Sequence, residues 1–377
     1  MPANRLKSAK RIVVKVGSNV LTAQNGLNIE VVGALSTQIS LLIDRGLEVL
    51  FVSSGAMASG LRKLGLPRRP EEIPKRQAIA AVGQSGLMNA YEAAFGRHDK
   101  RVAQILLTSE DLNNRKRYLN ARNTLNTLLD WKVVPIINEN DTVMVEEIKL
   151  GDNDNLAAMI TLLMDADFLI NLTDIDGLYT KDPRTQPDAE LIPCVSGIKK
   201  EIEHFASHIP GALGRGGMLS KIKAAKKVTA AGVPMIIAKG SKPDVLLRLF
   251  SGEPHGTYFA PQGKKMNRRK CWIAYTLTPK GSLILDAGAE QALLHRGKSL
   301  LPSGIVEVEG EFGEGAPAAL KNKDRIEIGI GLVNYSAADI RIIKGLKTNQ
   351  IKERLGDKPY DEVIHRDNLV ITTQKTG

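Results

Sequence analysis

The chain is short of several things, and each shortage argues against a class of explanation. It has two cysteines, Cys194 and Cys271, far apart in sequence and in no CxxC pair. That argues against a disulfide framework and for two reduced thiols in a reducing compartment. Aromatic residues make up 4% of the 377, so the core has to be built mainly from Val, Ile, Leu, Ala and Met. No apolar run approaches the roughly 18 residues that a membrane span needs. The opening segment MPANRLKSAKR is basic, but the apolar stretch behind it, Ile12–Val14, is too short for the core of a signal peptide. A cytoplasmic protein with no membrane partner is expected. Two familiar nucleotide motifs, GxxxxGK[ST] and a helix-opening GxGxxG, are missing. Asp152-Asn153-Asp154 begins like a calcium loop, but Leu156 stands where the third ligand should be and no glycine follows. No metal site built from protein ligands is expected.

What is present is a moderately basic chain with a clear division. The net charge of +11 is spread as 33 Lys+Arg against 27 Asp+Glu (+6) over residues 1–261 and 19 against 14 (+5) over residues 262–377. An enzyme with anionic substrates carries such a balance, because positive clefts concentrate anions. Residues 1–261 read as alternating strands and helices. Near-continuous apolar runs at Ile12–Val16, Val49–Ser53, Val102–Leu107, Val133–Asn138, Phe168–Leu172 and Met235–Ala238 suit a parallel sheet covered on both faces. Between them, Ile29–Arg45, Asn120–Trp131, Leu156–Met164 and Leu219–Ala231 keep helical spacing. The fold class expected is α/β: a doubly wound, mainly parallel sheet sandwiched by helices, followed by a small β-rich domain. Residues 262–276, with the basic run QGKKMNRRK, are expected to be a linker. Short segments at Leu283–Leu285, Ile305–Glu309, Arg325–Ile330 and Ala338–Ile343 suggest that the β-rich domain spans 277–357, leaving 358–377 as a tail.

In a doubly wound fold the ligand site lies in loops past the strand C-termini. Six such loops carry chemistry. Lys15-Val16-Gly17-Ser18 sets a cation beside backbone N–H groups that an anion can approach. Ser53-Ser54-Gly55-Ala56 opens a helix, where a carboxylate or phosphate is favoured. Asn138-Glu139-Asn140-Asp141 places four polar side chains at a strand end, fit to meet an ammonium or to order an Asx turn. Gly151-Asp152-Asn153-Asp154-Asn155 opens a helix with four capping-type residues where one suffices, and the excess argues for ligand or lysine contacts. Leu172-Thr173-Asp174 follows another strand, and Gly214-Arg215-Gly216-Gly217-Met218-Leu219-Ser220-Lys221 is a glycine-rich approach to a helix.

Taken in order, KVGSNVLT, VSSGAMASG, NARNTL, PIINENDTV, EIKLGDNDNLAA, LTDIDGLYTKDPR and GGMLSK resemble the motifs of the glutamate 5-kinases within the amino-acid kinase family. Asp286-Ala287-Gly288-Ala289 through Leu300-Leu301-Pro302-Ser303-Gly304-Ile305 resembles the PUA domain appended to many of them. The resemblance implies transfer of the γ-phosphoryl group of ATP, with Mg2+, to the side-chain carboxylate of L-glutamate, the opening step of proline biosynthesis. It implies that Lys15 and Lys221 flank the transferring group, that Asp154 holds them, and that Ser54, Asp141 and Asn153 bind glutamate. It assigns ATP binding to Lys15, Thr173, Asp174, Arg215, Gly216, Gly217, Met218, Leu219, Ser220 and Lys221. It also implies proline as a feedback inhibitor and a homo-oligomer, dimer or tetramer. The family commonly has a small hydroxyl residue where Arg215 stands and a Ser-Thr pair where Leu219-Ser220 stands. A carboxylate acceptor is already ionised at neutral pH, so no general base is required, and phosphoryl transfer rests on positioning and charge neutralisation. Another acceptor within the same family remains open, as do RNA binding and a regulatory or structural task for the second domain.

Overall fold

In the computed structural model, the described residues are 2–23, 26–143, 153–207, 217–263, 265–356 and 359–372. They divide into two compact units, Met1–Lys265 and Met266–Gly377.

The first unit is built on an eight-stranded sheet. Its strands are β1 (Arg11–Val16), β2 (Glu48–Ser53), β3 (Arg101–Leu107), β4 (Val133–Glu139), β5 (Phe168–Thr173), β6 (Cys194–Val195), β7 (Met235–Lys239) and β8 (Thr257–Phe259). Their spatial order is β3-β4-β2-β1-β5-β7-β8-β6, parallel except for the β7–β8 pair. The five helices that bear on the site are α1 (Ile29–Asp44), α2 (Ala56–Lys63), α3 (Ile73–Gly96), α5 (Asn153–Leu163) and α6 (Met218–Ala230), with α4 (Arg115–Asp130) lying between α3 and α5 in the chain.

Strand periodicity assigns each side chain to a face. Ile12, Val14 and Val16 of β1, with Phe51 of β2 and Ile170 of β5, join Leu35 and Ile39 of α1 and Leu87, Tyr91 and Phe95 of α3 in one buried cluster. Burying each large apolar side chain contributes about 1.5–3 kcal/mol. Lys15 and Asn171 alternate with these residues and therefore occupy the opposite face, the one on which α5 and α6 pack. Two glycines let α2 and α3 cross closely. A Cβ on Gly83 would come within 1.7 Å of the Ala56 carbonyl oxygen, and one on Gly60 within 1.9 Å of that of Ile79. Gly55, at φ +110°, makes the turn from β2 into α2 in a conformation that L side chains rarely adopt.

The second unit holds a five-stranded sheet of β9 (Gly281–Leu285), β10 (Ile305–Glu309), β11 (Pro317–Lys321), β12 (Glu327–Leu332) and β13 (Leu369–Ile371), in the order β10-β9-β11-β12-β13. Three expectations differ from what is observed here. The segment read as linker contains a helix, α7 (Arg268–Thr276), because Cys271, Trp272 and Ile273 give it a buried face that packs on β12 and β13. The segment read as tail supplies β13, which pairs with β12 through Gly329–Gly331. Ala338–Ile343, read as a β segment, lies in helix Ala337–Ile343; Ser336 caps it by accepting from the Asp339 N–H, and Ala337, Ile340 and Ile343 are buried at helical spacing. The helix expected at Asn120–Trp131 begins earlier, at Arg115, because Asn114 accepts from the N–H groups of Lys116 and Arg117. No helix among the described residues is long and apolar enough to cross a membrane.

Candidate active site

The C-terminal ends of β1, β2, β4 and β5 and the N-termini of α5 and α6 gather two polar clusters, one around Asp154 and one around Asn153.

Asp154 is fully buried, and both of its oxygens are engaged. Oδ1 accepts from Lys15 Nζ and, at 2.7 Å, from Asn171 Nδ2. Oδ2 accepts from Ser220 Oγ at 2.6 Å and from Lys221 Nζ at 3.0 Å. Lys15 and Asn171 reach the same oxygen because they are register partners on adjacent parallel strands. Ser220 and Lys221 come from the first turn of α6, whose opening residue is set by Gly217. Both ammonium groups are nearly buried, at 4% exposure for Lys15 and 5% for Lys221. Buried cations of this kind persist only when paired. Burial by itself would raise the Asp154 carboxyl; the charges of Lys15 and Lys221 and the hydrogen bonds from Lys15 and Ser220 outweigh it and hold the group well below the usual carboxylate range. A Cβ on Gly17 would sit 3.8 Å from Lys15 Nζ, so the lysine head lies against the backbone that follows β1.

Asn153, the neighbouring residue, faces a different set. Its Nδ2 donates to Ser54 Oγ at 2.9 Å and Asn138 Oδ1 at 3.0 Å, and approaches the Ser53 carbonyl oxygen at 3.3 Å. Asn138 Nδ2 in turn donates to Gln84 Oε1 of α3 at 3.0 Å. Asn155 completes the run by accepting from Lys227 Nζ at 2.5 Å, tying α5 to α6.

The remaining expected residues fall as follows. Thr173 Oγ1 donates to Asp174 Oδ1 at 3.0 Å, and Asn19 Nδ2 donates to Asp174 Oδ2 at 3.1 Å. Burial pushes the Asp174 carboxyl up, but the hydrogen bonds from Asn19, from its own backbone and from Thr173, with the charge of Lys221, bring it below its ordinary value. Asp141 lies half-buried in the turn after β4, the strand that supplies Asn138. Met218 is buried, whereas Leu219 is exposed. Arg215 and Gly216 lie outside the described residues. Sequence reasoning passed over Asn171, Asn19, Asn138 as a side-chain partner, and Gln84. A signal existed for Asn171: an amide inside the buried run FLINLT, as Lys15 is an ammonium inside RIVVKV. Gln84 had none, since one glutamine among the alanines and glycines of α3 looks like a solvent-facing residue.

As for a resident metal, no group of three or more His, Cys, Asp or Glu side chains gathers among the described residues. The oxygens of Asp154 and Asp174 are taken up by the partners above.

Residues 10–239 match the Amino acid kinase family and residues 281–355 match the PUA domain. The glutamate 5-kinase of Syntrophus aciditrophicus (strain SB) is 52% identical over 366 residues, covering 97% of this chain and 95% of that protein. The glutamate 5-kinase of Geobacter sulfurreducens is 50% identical over 372 residues, covering 98% of this chain and 100% of that protein. Among solved structures, a UMP kinase from Bacillus anthracis aligns with 68% of this chain and 97% of its own at 15% identity and a TM-score of 0.47. The chain belongs to the amino acid kinase family and carries a C-terminal PUA domain.

Proposed function

We propose that this amino acid kinase transfers the γ-phosphoryl group of ATP to the side-chain carboxylate of L-glutamate, forming L-glutamyl 5-phosphate and ADP, the first step of proline biosynthesis. Identity near 50% to glutamate 5-kinases over almost the whole chain supports the substrate. The observation that carries the chemistry is the single buried carboxylate, Asp154, holding two ammonium groups that come from opposite ends of the kinase domain, Lys15 and Lys221.

A γ-carboxylate oxygen forms a bond to the γ-phosphorus while the bond from that phosphorus to the β,γ-bridging oxygen breaks, and the electron pair leaves on ADP. The acceptor is ionised at neutral pH, so no proton has to be removed. Lys15 and Lys221 neutralise charge on the group in flight, and Asp154 keeps both heads in place before the substrates arrive. Asn153, Ser54 and Asp141 bind the amino acid. Thr173, Asp174 and the residues from Arg215 through Gly216 and Gly217 to Lys221 bind the nucleotide, with Ser220 fixing the start of α6. Magnesium, when bound with the nucleotide, would supply further charge neutralisation.

Incubation with ATP, magnesium, L-glutamate and hydroxylamine tests the assignment: the acyl phosphate is trapped as a hydroxamate. Product with another acid and none with glutamate would overturn it. The same reading brings proline as a feedback inhibitor acting at or near the glutamate pocket, a homo-oligomer and a cytoplasmic location.

The PUA match supports RNA as a second partner. The second unit holds a cleft of about 640 Å³ edged by Lys298 and Arg366. Against it, part of the basic run near 264–270 is already neutralised, since Lys265 Nζ lies 3.1 Å from Asp165 Oδ1 and 3.4 Å from Asp167 Oδ1. A filter-binding series in rising salt decides: phosphate contacts are strongest at low salt, so no binding there removes RNA.

A further inference from the structure

The amide cluster has two unfilled ends, and their chemistry is fixed by one backbone group. Glu139 N–H donates to Asn138 Oδ1 at 2.9 Å. A backbone N–H can only donate, so that end of the Asn138 amide is its oxygen and the other end is its NH2. That NH2 meets Gln84 at 3.0 Å, which makes the contacted Gln84 atom the oxygen and leaves the Gln84 NH2 as the outer end. In the other direction, the Asn138 oxygen accepts from Asn153, so the contacted atom there is nitrogen and the outer end of Asn153 is its oxygen. Asn153 Nδ2 also donates to Ser54 Oγ, which holds the same orientation. The two outer atoms, Gln84 Nε2 and Asn153 Oδ1, are buried and have no hydrogen-bond partner among the described residues.

Buried amide groups without partners are rare in folded proteins. Here they terminate one chain of three amides, one end a donor and the other an acceptor. Gln84 is not free to swing away. It is 9% exposed, and its neighbour Gly83 is pressed so tightly on Ala56 that α3 is locked beside the Ser54–Gly55 turn. One end of the chain offers a neutral donor and the other a neutral acceptor, the chemical complement of a carboxylate that accepts and an ammonium that donates.

We propose that Gln84 is a specificity residue whose side-chain NH2 donates to the α-carboxylate of the amino-acid substrate, while Asn153 Oδ1 accepts from its α-ammonium. This rests on the glutamate-kinase reading and adds a residue on α3, remote in sequence from the loops that carry the other contacts.

The test is a cycle of substrates against variants. L-Glutamate is compared with 4-aminobutyrate, which lacks the α-carboxylate, and with glutarate, which lacks the α-ammonium. The variants are Gln84→Met, which removes donor and acceptor, and Gln84→Glu, which keeps an acceptor for Asn138, replaces the donor with an oxygen and, when ionised, sets a like charge against the α-carboxylate. The expected result is that the preference in kcat/KM for glutamate over 4-aminobutyrate falls about tenfold to a hundredfold in both variants. The preference for glutamate over glutarate and the KM for ATP stay near their wild-type values. An unchanged preference over 4-aminobutyrate in folded variants overturns the proposal, and so does an equal loss toward all three substrates, which is what a purely structural role gives. Where Gln84→Met does not fold, Gln84→Glu carries the comparison alone. Wild-type enzyme inactive on glutamate would instead bring down the functional reading, and this inference with it.

Discussion

Asn153 and Asp154 are consecutive residues at the start of one helix, yet they stand in opposite circumstances. Asp154 is saturated: two ammonium groups, one hydroxyl and one amide fill both of its oxygens. Asn153 belongs to a chain of amides left open at both ends. Successive helical residues point about 100° apart, so one turn of helix serves two purposes at once. Asp154 and its partners are organised by the protein's own charges before any ligand arrives; if they handle the phosphoryl group, as proposed, this lowers the reorganisation needed during the reaction. The amide cluster keeps two unsatisfied polar ends; as the proposed acceptor side, it would have them satisfied by a complementary ligand and left bare by an incomplete one.

The sharpest way to break this contrast is to remove the saturated carboxylate. Asp154→Asn removes the carboxylate that both buried lysines share, and turnover should fall by about a thousandfold or more, as expected when preorganised charge stabilisation is lost. The substitution also bears on acid stability. A lowered folded-state pKa means that Asp154 stabilises the native state fully above the unfolded carboxylate range near pH ~4, and that the contribution is lost as pH falls through the depressed value. Urea unfolding should therefore separate wild type from Asp154→Asn at neutral pH, with the gap narrowing only in strong acid; a gap that closes between neutral pH and pH ~5 contradicts the ion-pair account.

Lys221→Met comes next. Turnover should drop by about a hundredfold to a thousandfold, while the half-saturation for ATP moves far less, because the charge matters most as the phosphoryl group moves. An unaltered kcat removes Lys221 from that role. On the acceptor side, Asp141→Ala should raise the half-saturation for glutamate about tenfold to a hundredfold and leave that for ATP near normal. Equal effects on both substrates would make Asp141 structural. The smallest effect is expected outside both clusters. Lys265→Ala deletes a half-exposed pairing with Asp165 and Asp167 and should cost about 0–1 kcal/mol in urea unfolding, with activity unchanged.

Most of the kinase sheet was legible because its strands are buried on both faces and read as apolar runs with glycine and polar stops. Ile12–Val16 and Phe168–Leu172 lie inside β1 and β5. The second domain was harder. Ala338–Ile343 has apolar residues that fit either period, and the cap at Ser336 decides for helix. Residues 268–276 look like a charge run until Trp272 and Ile273 find a sheet to cover. Of the clustered polar stretches read from the sequence, Asn138 and Asn153–Asn155 supply side chains to the two polar clusters. The site was opaque where meaning comes from register. Asn171 matters because the sheet places it beside Lys15, and Gln84 matters because helix crossing at Gly83 brings it to Asn138. The sequence marks Asn171 as an amide in a buried run but not its pairing with Lys15, and it marks nothing at Gln84.

The most direct test of the division between the two clusters is steady-state kinetics, both substrates varied, on the adjacent variants Asn153→Ala and Asp154→Asn. The account predicts that Asn153→Ala raises the KM for glutamate about tenfold or more with kcat largely retained, and that Asp154→Asn collapses kcat with the KM for glutamate within about threefold of wild type. The same pattern of change in both variants would contradict it.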